Sequence, residues 1–392
     1  MKLPQINKIF RQTISITVFK SSFSQGFFYF NSSISSLMEF FLRFKFQLKK
    51  VKISQKILLP ILGVLYLFSN MVSGQDNQWT SARTDGHAPI SIMGDHLHKK
   101  GEFMFSYRFM PMWMEDNLQS TDDISYEDIY QNFMVAPKKM KMNMHMFGTM
   151  YAPSDQVTLM VMGNYFSNSM DLRTEMGVDF STESGGLGDI TVSSHIIILN
   201  NNRQSFHGNV GISIPTGDID QRDATPMMND AQLAYPMQLG SGTWDPSLGL
   251  TYLGQTDKLS WGAQSKYKFR LGENSENYTF GNRFDLVSWG AIKVSDYFSF
   301  STSLSYFVTQ KIDGGDADLN PMMMPLFNTV NSGRSQLDMS IGTNFFVPKG
   351  SLKDLRIGAE IKIPAYQKVN GIQMKNTLMA TFGIQYTIGH RE

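Results

Sequence analysis

The sequence predicts an all-β fold, a transmembrane antiparallel up-and-down β-barrel of about 12 strands preceded by a short periplasmic or plug segment. Three observations carry this. Stretches of roughly ten residues alternate apolar and polar side chains from Glu102 to Ile388. The connections between them run alternately long and short. Polar residues also recur where a soluble core would need apolar ones. Phe298–Thr309 is the clearest stretch, with Phe298, Phe300, Leu304, Tyr306 and Val308 on one parity and Ser299, Ser301, Ser303, Ser305 and Thr309 on the other. Successive strand side chains point to opposite faces, so one face is apolar and the other polar.

Twelve strands are expected near 102–110, 142–151, 157–166, 188–199, 204–214, 245–254, 258–271, 279–293, 297–309, 335–347, 354–363 and 377–388. Connections after even-numbered strands are short and rich in turn formers: Pro153-Ser154-Asp155, Asn200-Asn201-Asn202, Gln255-Thr256-Asp257, Ser295-Asp296 and Pro348-Lys349-Gly350. Those after odd-numbered strands span about 31, 21, 30, 7, 25 and 13 residues. This is the asymmetry of periplasmic turns and extracellular loops. Aromatic residues at expected strand ends (Trp113, Tyr151, Tyr165, Trp244, Tyr252, Trp261, Tyr297, Tyr366, Tyr386) suit interfacial girdles. A soluble sandwich or propeller is disfavoured, because the strands are long and no blade-sized repeat recurs.

Composition agrees. Net charge is +1, which gives no reason to expect nucleic acid as a partner. Cysteine is absent, which excludes disulfides and thiolate chemistry. Mean hydropathy is mildly negative, as expected when only every second strand residue meets lipid. The expected partners are outer-membrane lipid, a small-molecule solute and the barrel assembly machinery, and the expected location is the bacterial outer membrane.

The N-terminal region divides differently. Ile57–Phe68 is an apolar run preceded by Lys49, Lys50, Lys52 and Lys56 and followed by Val72-Ser73-Gly74. That order is a secretory signal over 49–74, with cleavage expected near Gln75. Residues 1–48 read as an upstream extension from an early start assignment, with Met38 a candidate start. Residues 75–101 form a histidine-containing segment and 102–392 the barrel.

If the apolar parity faces lipid, the other lines the lumen. Lumen-lining candidates are Arg108, His195, His207, Lys266, Lys268, Arg270, Arg283, Asp285, Asp338, Arg356, Glu360 and Lys362, with Glu102 and Asp189 on the same parity. Both signs of charge occur, so pairing across the lumen is expected, and the segment before the first strand is placed to occlude the bore.

Two features point to metal chemistry. His87, His96 and His98 lie within twelve residues, with Asp95 and Met93 beside them; imidazoles so spaced can share a transition metal. The competing reading is a plug whose histidines hydrogen-bond to the barrel rim. There are also 27 methionines, clustered at Met110–Met114, Met140–Met150, Met227–Met228 and Met322–Met324. Met140 and Met142 with His145, and Met322, Met323 and Met324, are candidate soft ligands for Cu(I) or Ag(I). Met144, Met146 and Met150 share a parity that would equally suit packing against lipid.

The segment His87-Ala88-Pro89-Ile90…Met93-Gly94-Asp95-His96, the opening strand Gly101–Met110 and the twelve-strand pattern together resemble the outer-membrane family named for the meta-pathway of phenol degradation. Those barrels look like relatives of the long-chain fatty-acid transporters. The resemblance spans about residues 85–390 and implies a transporter-like channel for hydrophobic or aromatic compounds. It carries over no catalytic residues. No nucleophile elbow, His-Glu-x-x-His or phosphate loop is present, so an enzyme is not expected. An uptake channel is the favoured reading, a soft-metal-handling barrel the alternative, and a structural surface barrel the third.

Overall fold

The computed structural model describes residues 79–389. The expected extension, signal and cleavage site lie outside the described residues. Twelve long antiparallel strands form one closed ring. They are β1 (Phe103–Gln119), β2 (Val135–Ser154), β3 (Val157–Thr174), β4 (Ile190–Asn201), β5 (Gln204–Ile214) and β6 (Asp245–Gln255), then β7 (Leu259–Lys268), β8 (Arg283–Lys293), β9 (Phe298–Thr309), β10 (Arg334–Phe346), β11 (Leu355–Val369) and β12 (Ile372–Ile388). Each strand pairs with its sequence neighbours, and β12 closes on β1 from Phe103↔Ile388 to Gln119↔Ile372. Closure leaves no strand edge within lipid, where an unpaired backbone group would cost several kcal/mol.

The two faces divide as the parity requires. Phe298, Phe300, Leu304 and Tyr306 project outward and are exposed, whereas Ser299, Ser301 and Ser303 are buried on the lumen side. Along β7, Leu259 faces out and Ser260 and Gln264 face in.

All twelve expected strands exist, but several run further than expected. β1 continues to Gln119, β2 begins at Val135 and β3 continues to Thr174. The expected loop after β3 folds as a strand, Asp179–Leu187, paired along the upper half of β3. The expected long connection between β11 and β12 is only the turn Asn370-Gly371.

These differences share one cause. On β3 the outward residues Leu159, Val161 and Tyr165 give way to Ser167, Ser169, Asp171 and Arg173, while inward Met170 and Leu172 are apolar and buried. On β2 the outward set changes from Tyr151 and Phe147 to Asn143, Lys141 and Lys139. Asn143 pairs with Ser167, so the inversion falls at one height. Apolar-outward alternation ends where lipid ends, whereas hydrogen-bonded pairing continues into water. The wall from β11 through β12, β1 and β2 to β3 therefore rises beyond the membrane.

The methionine parity on β2 needs a correction. Met146 and Met150 are buried in the lumen with Met104, Met160 and Met162, and half-buried Met93, Met110 and Met144 pack on them. None of these eight faces lipid. Phe147 and Tyr151 hold the lipid side instead.

Leu304 is 44% exposed on the outer face, and Ser303 Oγ lies 2.6 Å from Ser340 Oγ inside. Leu304→Arg is expected to impair assembly, at about 2–4 kcal/mol for a cation at mid-membrane, while Ser303→Arg should assemble and alter conductance. Heat-modifiable gel mobility of both variants checks this; equal assembly would reverse the assigned faces.

Candidate functional site: a plugged lumen beneath an apolar mouth

Inside the ring, residues 79–101 form a plug without regular secondary structure. Such a segment must satisfy its backbone groups with side chains of the wall. Arg356 on β11 donates from Nη1 to Thr84 O at 2.7 Å and from Nη2 to Arg83 O at 2.6 Å and Ser81 O at 3.3 Å. Arg108 on β1 donates from Nε to Ile90 O at 2.8 Å. Gln264 on β7 donates to Met93 O and Gly94 O at 3.1 and 3.2 Å, and Ser299 on β9 to Thr84 O at 2.8 Å. In return, the amides of Ser91 and His98 donate to Glu360 Oε2 at 2.9 Å and Thr158 Oγ1 at 3.0 Å. Lys362 Nζ donates to Ser91 Oγ at 3.2 Å.

Close packing accompanies the polar seams. Ile90 sits over Gly358 and Gly383, where a Cβ would approach its side chain to 2.8 and 2.7 Å. Gly94 takes φ +65°, and a Cβ there would fall 2.3 Å from the His195 imidazole. Ala88 and Ile92 pack with Leu253 and Trp289.

The expected lumen residues therefore have identifiable partners. Arg108, Arg356, Glu360, Lys362 and His207 bind the plug, the last with Nε2 3.2 Å from Gly94 O. His195 lies against Gly94 and hydrogen-bonds Asn209 Oδ1 through Nδ1 at 2.6 Å. Pairing across the open lumen, as expected from the mixed charges, is largely replaced by these plug contacts. The ion pairs that do form are local. Arg270 meets Asp245, and Arg283 meets Asp285 two residues along its own strand at 2.7 Å, with its guanidinium 4.0 Å from the Phe307 ring centroid. Asp338 accepts from Gln336 Nε2 at 2.6 Å. Lys266 and Lys268 are half-buried on the inward face of β7. Asp189 instead secures a long loop, accepting from Gly217 N, Ser241 N and Ser241 Oγ.

The metal candidates separate into distinct places. His87, His96 and His98 come together in the plug: the His87 and His96 ring centroids are 3.9 Å apart, and those of His96 and His98 4.9 Å. Their Nδ1 atoms lie 3.2 Å from Gln385 Oε1, 2.9 Å from Asp95 Oδ1 and 3.1 Å from Glu102 Oε2. Met140, Met142 and His145 do not converge. Met140 and Met142 face inward, whereas His145 is on the lipid-side parity, with Nδ1 2.8 Å from Tyr107 Oη. Met322 is exposed, but Met323 and Met324 fold into the mouth of the barrel.

That mouth contains two cavities. Loops 215–244 and 310–333 fold against the raised β2–β3 wall. They enclose an apolar cavity of about 340 Å³ lined by Val135, Met170, Leu172, Phe180, Met237 and Met323 among others. Below it lies a second cavity of about 470 Å³, whose lining includes Met114, Met140, Phe307, Arg334, Gln336 and Met374. One apolar cluster containing Met140, Met170, Leu172, Met237, Met324, Leu326 and Met374 stands between the two. Arg334 donates from Nη2 to Met374 O at 2.7 Å. The loops are tied by Arg222, which donates to Asp220 and Asp318 at 2.9 and 2.6 Å; Asp318 and then Asp220 push its pKa up. Burial likewise raises the Tyr278 phenol in the neighbouring loop cluster with Tyr235 and Leu319. No periodicity of the loops announces this mouth. Its one signal was the apolar inward parity of β3 beyond Ser167.

The fold is that of an outer-membrane channel barrel. The chain belongs to the family described as "Putative MetA-pathway of phenol degradation", whose model matches residues 131–375. Among solved structures it is similar to the COG4313 outer membrane channel from Pseudomonas putida F1, at 12% identity and a TM-score of 0.54, covering 76% of this chain and 99% of that one. A Pseudomonas aeruginosa FadL homologue is similar at 10% identity and a TM-score of 0.40, covering 79% of this chain and 98% of that one. No curated protein matches the sequence.

Arg356 holds three plug carbonyls, and hydrogen bonds to a charged group are each worth about 1.5–3 kcal/mol. Arg356→Ala is expected to loosen the plug and raise ion conductance in planar bilayers without changing barrel mobility on gels. Unchanged conductance in a folded variant would mean that Arg356 does not hold the plug closed.

Proposed function

We propose that this protein is an uptake channel for small apolar solutes, chiefly single-ring aromatic compounds bearing one polar substituent. The observation that carries this is the mostly apolar cavity of about 340 Å³ at the extracellular mouth, which shares one methionine- and leucine-rich apolar cluster with the cavity below. Small-ligand sites typically occupy about 300–1,000 Å³, and a dry cavity near 150 Å³ already accepts benzene. Thr182, Gln232, Asp318 and Asn320 offer polar partners at its edge, but most of the lining is apolar, and each polar group of a sugar or ion left unpaired there costs about 1–3 kcal/mol. An aromatic ring would lose nothing by comparison.

The lower cavity supplies what the polar substituent needs. Arg283, Arg334, Gln336 and Gln373 line it, so a hydroxyl or carboxylate can be met by donors once the ring has passed the apolar cluster. Methionine suits the separating wall, because an unbranched thioether moves aside at lower cost than a branched or aromatic side chain. The family's name, which refers to phenol degradation, agrees with a solute of this kind.

Met323 lines the upper cavity from the loop rather than from a strand, so its replacement leaves the ladder intact. Met323→Arg is expected to lower uptake of labelled phenol by vesicles carrying the protein by about tenfold, since 1.4 kcal/mol of lost affinity is one decade. Leakage of arabinose should not change. Equal phenol uptake by the variant and the wild type would contradict the assigned entry site.

A further inference from the structure

The plug contains a cluster that solute passage does not explain. One ligand atom from each of His87, Asp95 and His96 lies within 4.8 Å of the others, and all three residues are buried. His96 is 1% exposed, and its Nε2 has no hydrogen-bond partner among the described residues. A buried polar atom left in this way costs about 1–3 kcal/mol unless something binds it.

Its other nitrogen is firmly held. Asp95 Oδ1 lies 2.9 Å from His96 Nδ1, and Asp95 Oδ2 accepts the Ala88 amide at 2.8 Å. A carboxylate so placed draws the proton to Nδ1 and leaves Nε2 with its lone pair, which is how outer-sphere carboxylates orient metal-ligating histidines. Asp95 thus acts as the orienting group, with both oxygens already engaged. The His87 ring lies tilted against that of His96, with centroids 3.9 Å apart, and the Glu102-held His98 ring is 4.9 Å from His96, edge to face.

We propose that His87 and His96 form a metal site in the plug for a monovalent coinage-metal ion, Cu(I) or Ag(I). Two neutral imidazoles satisfy the low coordination number of a d¹⁰ monovalent ion. Zn(II) typically takes four ligands, for which the doubly engaged Asp95 is poorly placed. Met93, two residues before Asp95 in the plug, packs on a methionine cluster of Met104, Met146, Met150, Met160 and Met162; it is the soft donor nearest in sequence to the pair. The site lies near the periplasmic end. The His98 amide binds Thr158 at the start of β3, and that of Lys100 binds Asp155 in the adjoining turn. It is therefore separate from the extracellular cavities, and from Met322–Met324.

The test is anaerobic Cu(I) titration of the full-length protein in detergent against a chromophoric Cu(I) chelator, with Ag(I) and Zn(II) titrated in parallel. The expected result is one equivalent of Cu(I) bound, tighter than Zn(II), with nitrogen scatterers in the X-ray absorption spectrum. His87→Gln with His96→Gln should abolish this binding, while leucine at Met322, Met323 and Met324 leaves it unchanged. Should the double variant fail to give a heat-modifiable barrel, Asp95→Asn keeps both rings and is expected to weaken Cu(I) by about 10–100-fold. The proposal is overturned by absent Cu(I) binding, by tighter binding of Zn(II), by undiminished binding in the histidine variant, or by loss of binding in the methionine variant instead.

Discussion

Closure of the ring between β1 and β12 is the constraint on which everything else depends. Once Phe103 pairs with Ile388 and Gln119 with Ile372, every strand has two neighbours and the parity of each strand is fixed. Outward positions must then satisfy lipid and inward positions must satisfy one another, or something placed between them. Twelve strands enclose a narrow bore crowded with Arg108, Arg356, Glu360, Gln264 and His207. These groups are too polar to pack as a dry core. The plug answers both needs, because its carbonyls and amides are as demanding of partners as the wall side chains are. Each side satisfies the other, and the lower lumen is filled as a result.

How much of this was legible in the sequence depended on what the chain was adapting to. Lipid imposes a strict alternation, so strands such as Phe298–Thr309 were readable residue by residue. Above the membrane the alternation inverts, and β3 from Ser167 to Thr174 looks like a polar loop although it is paired throughout. In the same way the strand before β4 and the upper ends of β11 and β12 look like loops in the sequence. Charges could be assigned to the lumen by parity, yet their partners could not, because Arg356 and Arg108 bind backbone carbonyls of a segment with no periodicity of its own. The convergence of His87 with His96 likewise depends on the turn around Gly94, which no spacing rule specifies.

Methionine is the residue whose meaning changed most. Read along β2, Met144, Met146 and Met150 could as well have been lipid-facing packing, but they stand inside with methionines of β1 and β3. Higher up, Met140, Met170 and Met374 join loop residues Met237 and Met324 in the wall between the two cavities. A soft, unbranched side chain serves both places. It is apolar enough to pack within the lumen and flexible enough to line the cavities of the mouth.

The central claim is that residues 84–98 are a folded part of the barrel interior rather than a tail lying near it. Amide hydrogen exchange on the full-length protein tests this most directly. The amides of Ala88, Ser91 and His98, bonded to Asp95, Glu360 and Thr158, should exchange as slowly as those of the neighbouring strands. Exchange of these three amides at the rate of an exposed loop, while β1 and β12 remain protected, would contradict the account.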